Sequence, residues 1–321
     1  MINKLVSVVI TTHNRASLVQ RAINSVLNQS YQPIELIVVD DCSNDYTEIV
    51  LRDFSNQIIY LRHKESKGGA AARMTGAKQA KGIYIAFLDD DDEWYPTKIE
   101  KQYSIAERAT SKCAVVTCGA TVTKNGSTFN SYPVLDGEIR PKIFSSGFIT
   151  IPSNHFFNKD LFDRIGGYDL DLPAHNEHDI WMKLAEANYE TKLIREPLVI
   201  IREDGRKRMM TDVNIRMEAF RIFHDKWKDI VIGWYGKKQG INILNNYMVS
   251  IYLMNAGLVD NNGDKKGARK FLIKSMKYVK MFNFDRKHYN LIYQIIYYST
   301  PEFLINLIKY IRNLLKRITN N

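Results

Sequence analysis

No apolar run in this chain reaches the roughly 18 to 20 residues that a membrane-spanning helix requires, so no transmembrane segment is expected. The short stretch from Leu5 to Ile10 lacks the length and the small-residue cleavage site of a secretory leader. It reads instead as a buried strand. Cysteines number three, and Cys42, Cys113 and Cys118 are too scattered for a disulfide framework or a metal-ligand spacing. Free thiols in a reducing cytoplasm are the expectation. There is no G-x-G-x-x-G after the first strand and no P-loop, which argues against a dinucleotide oxidoreductase or a kinase. Internal repeats and low-complexity tracts are also missing.

What is there is the composition of a globular protein: 321 residues, 45% hydrophobic and 25% charged. The net charge of +10 becomes informative once it is located. From residue 261 onward there are 13 Lys and Arg against 3 Asp and Glu, and the first 260 residues hold 32 of each sign. The basic character therefore belongs to the C-terminal region, where it can meet nucleic acid, anionic lipid or only water.

Through the first hundred residues, strand and helix patterns alternate. Leu5–Thr11, Ile34–Val39, Ile58–Leu61 and Ile83–Leu88 are short apolar runs of the kind buried on both faces of a sheet. Between them, Leu18, Val19, Ala22, Ile23, Val26 and Leu27 recur at helical spacing, and Ala70–Ala80 reads as a second helix. Strands separated by helices imply a mostly parallel sheet with right-handed crossovers. In such a sheet the ligand sits at the carboxyl ends of the strands. Polar residues gather at those ends here: Thr11–Arg15, Asp40–Asn44 and Asp89–Glu93. Beyond about residue 210 the pattern is helical throughout, giving an expected division into 1–220 and 221–321.

Asp89-Asp90-Asp91-Asp92 carries the strongest chemical signal. Adjacent carboxylates repel one another, and a hard divalent cation such as Mg²⁺ or Mn²⁺ removes the penalty. A solvated acidic turn is the alternative. Asp40-Asp41 ends the second strand, suited to a base edge, a ribose hydroxyl or simply a turn. Lys67-Gly68-Gly69 and Arg73 bring a flexible backbone and a cation to the same edge, where Arg73 suits a diphosphate. Farther on, Asn176–Trp181 opens a helix in which Glu177 falls within about 40° of Trp181 and about 20° of Leu184 at 100° per residue. Glu177 is therefore expected on the inward face, with Asp179 on the other side; a helix-dipole partner is the plainer role. Arg202, Arg206, Lys207 and Arg208 crowd a Gly-containing segment that is either a cationic flap over a diphosphate or a solvated loop.

With these residues in hand, the first ~200 positions resemble glycosyltransferase family 2, the inverting enzymes of GT-A fold. The resemblance is carried by Ser7–Arg15, Val38–Ser43, Gly69–Arg73, Phe87–Trp94 and Ile165–Asp169 followed by Glu177–Trp181, five motifs in order. It implies a GT-A type, nucleotide-binding, mostly parallel sheet with flanking helices, plus a C-terminal helical region. It further implies that Thr11, His13 and Arg15 border the nucleotide, that Asp41 reads the uracil N3–H, and that Arg73 binds the donor. Asp89 and Asp90 would face ribose or sugar, and Asp91 would hold Mn²⁺ or Mg²⁺. Glu177, where the family commonly has Asp, would be the base, with Asp179, Trp181, Arg206 and Arg208 as loop or acceptor contacts.

The implied reaction is a single displacement from a nucleotide diphosphate sugar, of UDP type, onto a glycan or lipid-linked glycan. The competing readings are a nucleotidyltransferase acting on sugar phosphates, which leaves the Glu177 block unexplained, and a basic nucleic-acid-binding protein, whose phosphates the acidic strand ends would repel. No nucleic-acid partner is therefore expected. Thr300-Pro301 starts a terminal helix with an apolar stripe from Phe303 to Ile318, surrounded by Lys309, Arg312, Lys316 and Arg317. Residues 301–319 are thus expected either to pack on their own domain or to dock peripherally on the anionic inner face of the membrane.

Overall fold

The computed structural model describes residues 4–124, 126–140, 142–144, 151–203, 212–261 and 263–278. Arg206, Arg208 and the 301–319 segment lie outside the described residues. The chain divides into two compact units, residues 1–207 and 208–321.

The first unit begins β1 (Val6–Thr12), α1 (Ala16–Leu27), β2 (Ile34–Asp40), α2 (Thr47–Arg52), β3 (Ile59–Arg62), α3 (Gly69–Gln79) and β4 (Tyr84–Asp89). It continues with β5 (Asp92–Trp94), α4 (Lys98–Arg108), β6 (Cys113–Lys124), β7 (Ser127–Ser131) and β8 (Gly137–Glu138). Then come β9 (Phe156–Asn158), α5 (Lys159–Arg164), α6 (Asn176–Glu186) and β10 (Glu190–Glu203). These strands form one sheet in the order β3-β2-β1-β4-β9-β6-β10-β5, with β7 added to β6 and β8 to β10.

β1 to β4 are mutually parallel, as the alternating pattern implies. Beyond β4 the sheet is mixed: β9 runs antiparallel to both β4 and β6, while β10 is parallel to β6. The register sets Thr11 opposite both Val39 and Asp89, and Thr12 opposite Asp40. The polar ends of β1, β2 and β4 therefore stand level on one edge.

Side-chain alternation sends Val8 and Ile10 of β1 to one face, with Val19, Ile23 and Val26 of α1 in the same core. Val9 points to the other face, where α3 lies. At Gly76 of α3 a Cβ would fall 2.3 Å from Val9 Cγ1, so this close approach requires glycine. Fully burying side chains of this size contributes roughly 1.5–3 kcal/mol each, which anchors both helices and the loops leading into them.

The second unit is helical: α7 (Val213–Tyr235), α8 (Lys237–Asn261) and α9 (Lys265–Ser275). Asp212 caps α7, accepting from the backbone N–H of Asn214 at 2.7 Å and of Ile215 at 3.3 Å. Val249 and Ala256 of α8 pack with Ala268 and Leu272 of α9. Among the described residues no helix is long and apolar enough to cross a membrane.

Candidate active site

The acidic run turns out of β4 and into β5, so its four carboxylates take different directions. Asp89, Asp91 and Asp92 each bring a carboxylate oxygen to within 4.8 Å of the others. Three hard oxygen donors so close suit Mg²⁺ or Mn²⁺. Arg73 pairs with Asp89, and Arg15 Nη1 lies 2.9 Å from Asp91 Oδ2 and 2.7 Å from Asp90 Oδ1. Two guanidinium groups thus approach three of the four carboxylates, and Asp89, Asp91 and Asp92 together keep the oxygen donors that one divalent cation takes.

Asp90, expected to face ribose or sugar, is held by Arg15 in this structure. Its side chain is buried against Arg15, and burial raises its carboxyl pKa to about 6, with Arg15 pulling the other way. Asp92, the last residue of the acidic run, joins Asp89 and Asp91 in the cluster. Only the tight turn that reverses the chain between β4 and β5 brings it back beside Asp89.

Asp41 is held more fully still. Expected to offer a carboxylate to a base, it already accepts four hydrogen bonds. Oδ1 takes His63 Nδ1 at 2.6 Å and the Lys67 N–H at 2.8 Å; Oδ2 takes Ser66 Oγ at 2.7 Å and the Gly68 N–H at 2.8 Å. Burial opposes the charge, but these donors outweigh it and lower the Asp41 pKa. The carboxylate therefore clamps the 66–68 loop, whose Gly68 has φ +86°, and this loop leads into α3 and Arg73. The neighbouring His13 is fixed too, its Nδ1 donating to the Asp41 carbonyl at 2.6 Å. Thr11 lies half-buried at the end of β1, beside Asp89 in register.

Arg73 is nearly enclosed. Burial works against its charge, yet Asp89, Tyr168 and Glu177 together raise its pKa. Its Nη1 lies 3.7 Å from Glu177 Oε1, and its guanidinium sits 5.5 Å from the Tyr168 ring centroid. Arg73 therefore spans from the acidic end of β4 to the first turn of α6.

On α6 the expected faces are exchanged. Glu177 keeps 30% of its side chain exposed beside Arg73, whereas Asp179 is fully buried with Lys183 Nζ at 3.3 Å. The helical-wheel argument assumed one inward face, but Ile180, Trp181, Met182, Leu184 and Ala185 are all buried, so α6 is enclosed nearly all round. Glu177 reaches the site because it stands in the first turn. Trp181 packs against His155 with ring centroids 5.5 Å apart and has no exposed surface. Asp179 and Trp181, expected as loop or acceptor contacts, are both fully buried.

Residues 7–166 match the sequence family described as "Glycosyl transferase family 2". An uncharacterized glycosyltransferase of Rickettsia prowazekii, RP339, is 35% identical over 191 residues, 56% of this chain and 58% of its own length. The match thus spans little more than half of that relative. WfaP of Escherichia coli, a UDP-Glc:alpha-D-GlcNAc-diphosphoundecaprenol beta-1,3-glucosyltransferase, is 27% identical over 237 residues, 71% of this chain and 83% of its own. Staphylococcus aureus TarS 1-349, crystallised in complex with UDP-GlcNAc, superposes with a TM-score of 0.58 at 13% identity. That superposition covers 92% of this chain and 91% of TarS 1-349, and it is a likeness of fold alone.

Proposed function

This chain belongs to glycosyl transferase family 2 through residues 7–166, and from that premise we propose that it is an inverting glycosyltransferase. It moves a sugar from a nucleoside diphosphate, UDP by preference, to a hydroxyl of a glycan or lipid-linked glycan. The observation that carries this reading is the bridge made by Arg73, which pairs with Asp89 and stands 3.7 Å from Glu177. One buried cation holds the donor-side acids and the only half-exposed carboxylate of α6 in a common site. The UDP preference and the lipid-linked acceptor take support from the names of WfaP and of the TarS complex.

Asp91, with Asp89 and Asp92 beside it, would hold Mg²⁺ or Mn²⁺, which would supply Lewis-acid stabilisation to the departing diphosphate. Glu177 takes the proton from the acceptor hydroxyl as that oxygen attacks the anomeric carbon. Asp179, buried against Lys183, has no path to that hydroxyl. Arg73 holds Glu177 towards the site and offsets its charge. A single in-line attack inverts the anomeric centre. Thr11 and His13 line the edge where the nucleotide lies. An acceptor carried on a lipid would bring the enzyme to the cytoplasmic face of a membrane.

The test is nucleoside diphosphate release from a panel of nucleotide sugars, with Mn²⁺ or with EDTA. One UDP-sugar should be consumed with Mn²⁺ and spared with EDTA. Consumption of a nucleoside triphosphate plus a sugar phosphate, with pyrophosphate released, would make the chain a nucleotidyltransferase instead.

A further inference from the structure

We propose that Ser153 is a positioning residue that aims the Asp92 carboxylate at the acidic end of β4 and so sets how tightly a divalent cation is held there. The inference rests on the metal-assisted transfer proposed above. Ser153 lies in a short 3₁₀ turn, Pro152–Asn154, and is fully buried. Its hydroxyl donates to Asp92 Oδ2 at 2.5 Å and accepts the Asp89 N–H at 3.1 Å. A hydroxyl has one proton to give and can accept as well. This single oxygen therefore ties together the first and last residues of the acidic run.

The anchor is independent of any ligand. The Ser153 carbonyl accepts the indole N–H of Trp94 at 2.8 Å, and the Lys98 amine sits 3.8 Å above that indole. The next residue, Asn154, donates from Nδ2 to the Cys118 carbonyl at 3.2 Å and accepts at its own carbonyl from Gln102 at 3.0 Å. The turn is thereby locked to β5, β6 and α4, and Ser153 Oγ has one place to be. A charge-assisted bond to the oxygen of a carboxylate fixes the direction of its other oxygen. Without the hydroxyl, Asp92 keeps its charge but loses the bond that ties it to the locked turn. Removing partners of this kind from metal ligands weakens metal affinity by roughly 10–100-fold.

A serine that merely fills space would alter stability and leave cation affinity untouched. The experiment titrates Mn²⁺ into the full chain with UDP present, following free Mn²⁺ by electron paramagnetic resonance. It compares wild type, Ser153→Ala, Ser153→Cys and Asp91→Ala, each checked for folding by circular dichroism. Ser153→Ala should weaken Mn²⁺ binding by ~10–100-fold with the fold intact, and Ser153→Cys, a weaker donor of similar size, should weaken it less. If the alanine variant does not fold, weaker binding by the cysteine variant carries the expectation, and unchanged binding by it overturns the proposal. Equal affinity in folded Ser153→Ala and wild type also overturns it, while leaving the metal reading standing. Failure of the wild type itself to bind Mn²⁺ removes that reading and this inference together.

Discussion

Two parallel strands of the same sheet edge, β2 and β4, end in acidic residues, and the surroundings of the two ends differ. At the end of β2, hydrogen-bond donors close the carboxylates, with Arg62 Nε also 3.8 Å from Asp40 Oδ2. Asp40 Oδ1 accepts the Ser43 N–H at 2.8 Å and Oδ2 the Tyr60 hydroxyl at 3.1 Å, and Asp41 accepts four bonds from the 63–68 segment. At the end of β4, guanidinium groups approach but do not match the acids in number, and three carboxylates stay within 4.8 Å of one another. A carboxylate to which a loop returns its N–H groups becomes a clamp; a cluster left with excess charge becomes a place for a cation. The pKa values separate in the same way: Asp41 is lowered, whereas burial lifts Asp90 to about 6.

Replacing the base should give the largest effect. Glu177→Gln is expected to lower turnover by ~10²–10⁴-fold with donor affinity kept, the usual contribution of general base catalysis. Asp179→Asn should instead lower the melting temperature and spare turnover. The reverse pattern in steady-state kinetics would move the base to Asp179 and detach Arg73 from the chemistry.

A smaller effect contrasts the two strand ends directly. Asp41→Asn presents a single acceptor oxygen to four donors, so it should cost about 2–3 kcal/mol of stability, the range for bonds to a charged group. Asp91→Asn loses a half-exposed ion pair and should cost less than about 1 kcal/mol. Chemical denaturation of both variants measures the difference, and equal losses would erase the distinction between clamp and cation site.

The pH dependence of stability sharpens the contrast further, because the two acids carry opposite signs. Asp90 has a folded pKa raised to about 6 from 3.8, so the folded state binds its proton more tightly. Its contribution favours folding at low pH and is lost as pH rises through about 6, by about 3 kcal/mol at 1.36 kcal/mol per unit. Asp41, with a lowered pKa, contributes above its unfolded value, and that stability is lost as pH falls through its folded pKa. Melting curves of Asp90→Asn should flatten the pH 4–6 limb, and those of Asp41→Asn the acid limb below it.

A separate expected effect lies outside the sheet, in a segment of the opposite charge. Four cations, Lys309, Arg312, Lys316 and Arg317, are worth about 1 kcal/mol each beside an anionic leaflet. Co-sedimentation with anionic liposomes should fall at high salt and in a chain ending at Ser299. Equal pelleting of the two chains would show that this segment is not the membrane contact.

β1, β2 and β4 were legible because strands buried on both faces read as apolar runs, and their polar ends marked one edge of the sheet; β3, expected to be buried on both faces, is a half-exposed edge strand. Which acidic end was open was not legible. The donors that close Asp41 come from Ser66, Lys67 and Gly68, some 25 residues on, and two of them are backbone groups that no side-chain pattern displays. Asp92 was legible only as part of the acidic run and Ser153 not at all, for a related reason: β5 has three residues and the Pro152–Asn154 turn another three, too short for any periodicity. Glu177 was expected on an inward face and is instead half-exposed in the first turn, because α6 is enclosed on nearly every side and offers no single inward face.

The most direct test of the central claim is calorimetric titration of UDP into the protein, with Mn²⁺ or with EDTA. If the end of β4 is a cation site for a nucleoside diphosphate, UDP should bind with Mn²⁺, at least tenfold more weakly with EDTA, a difference of about 1.4 kcal/mol or more. Asp91→Ala should behave with Mn²⁺ as the wild type does with EDTA. Unchanged UDP affinity in EDTA, or in Asp91→Ala with Mn²⁺, would contradict the account.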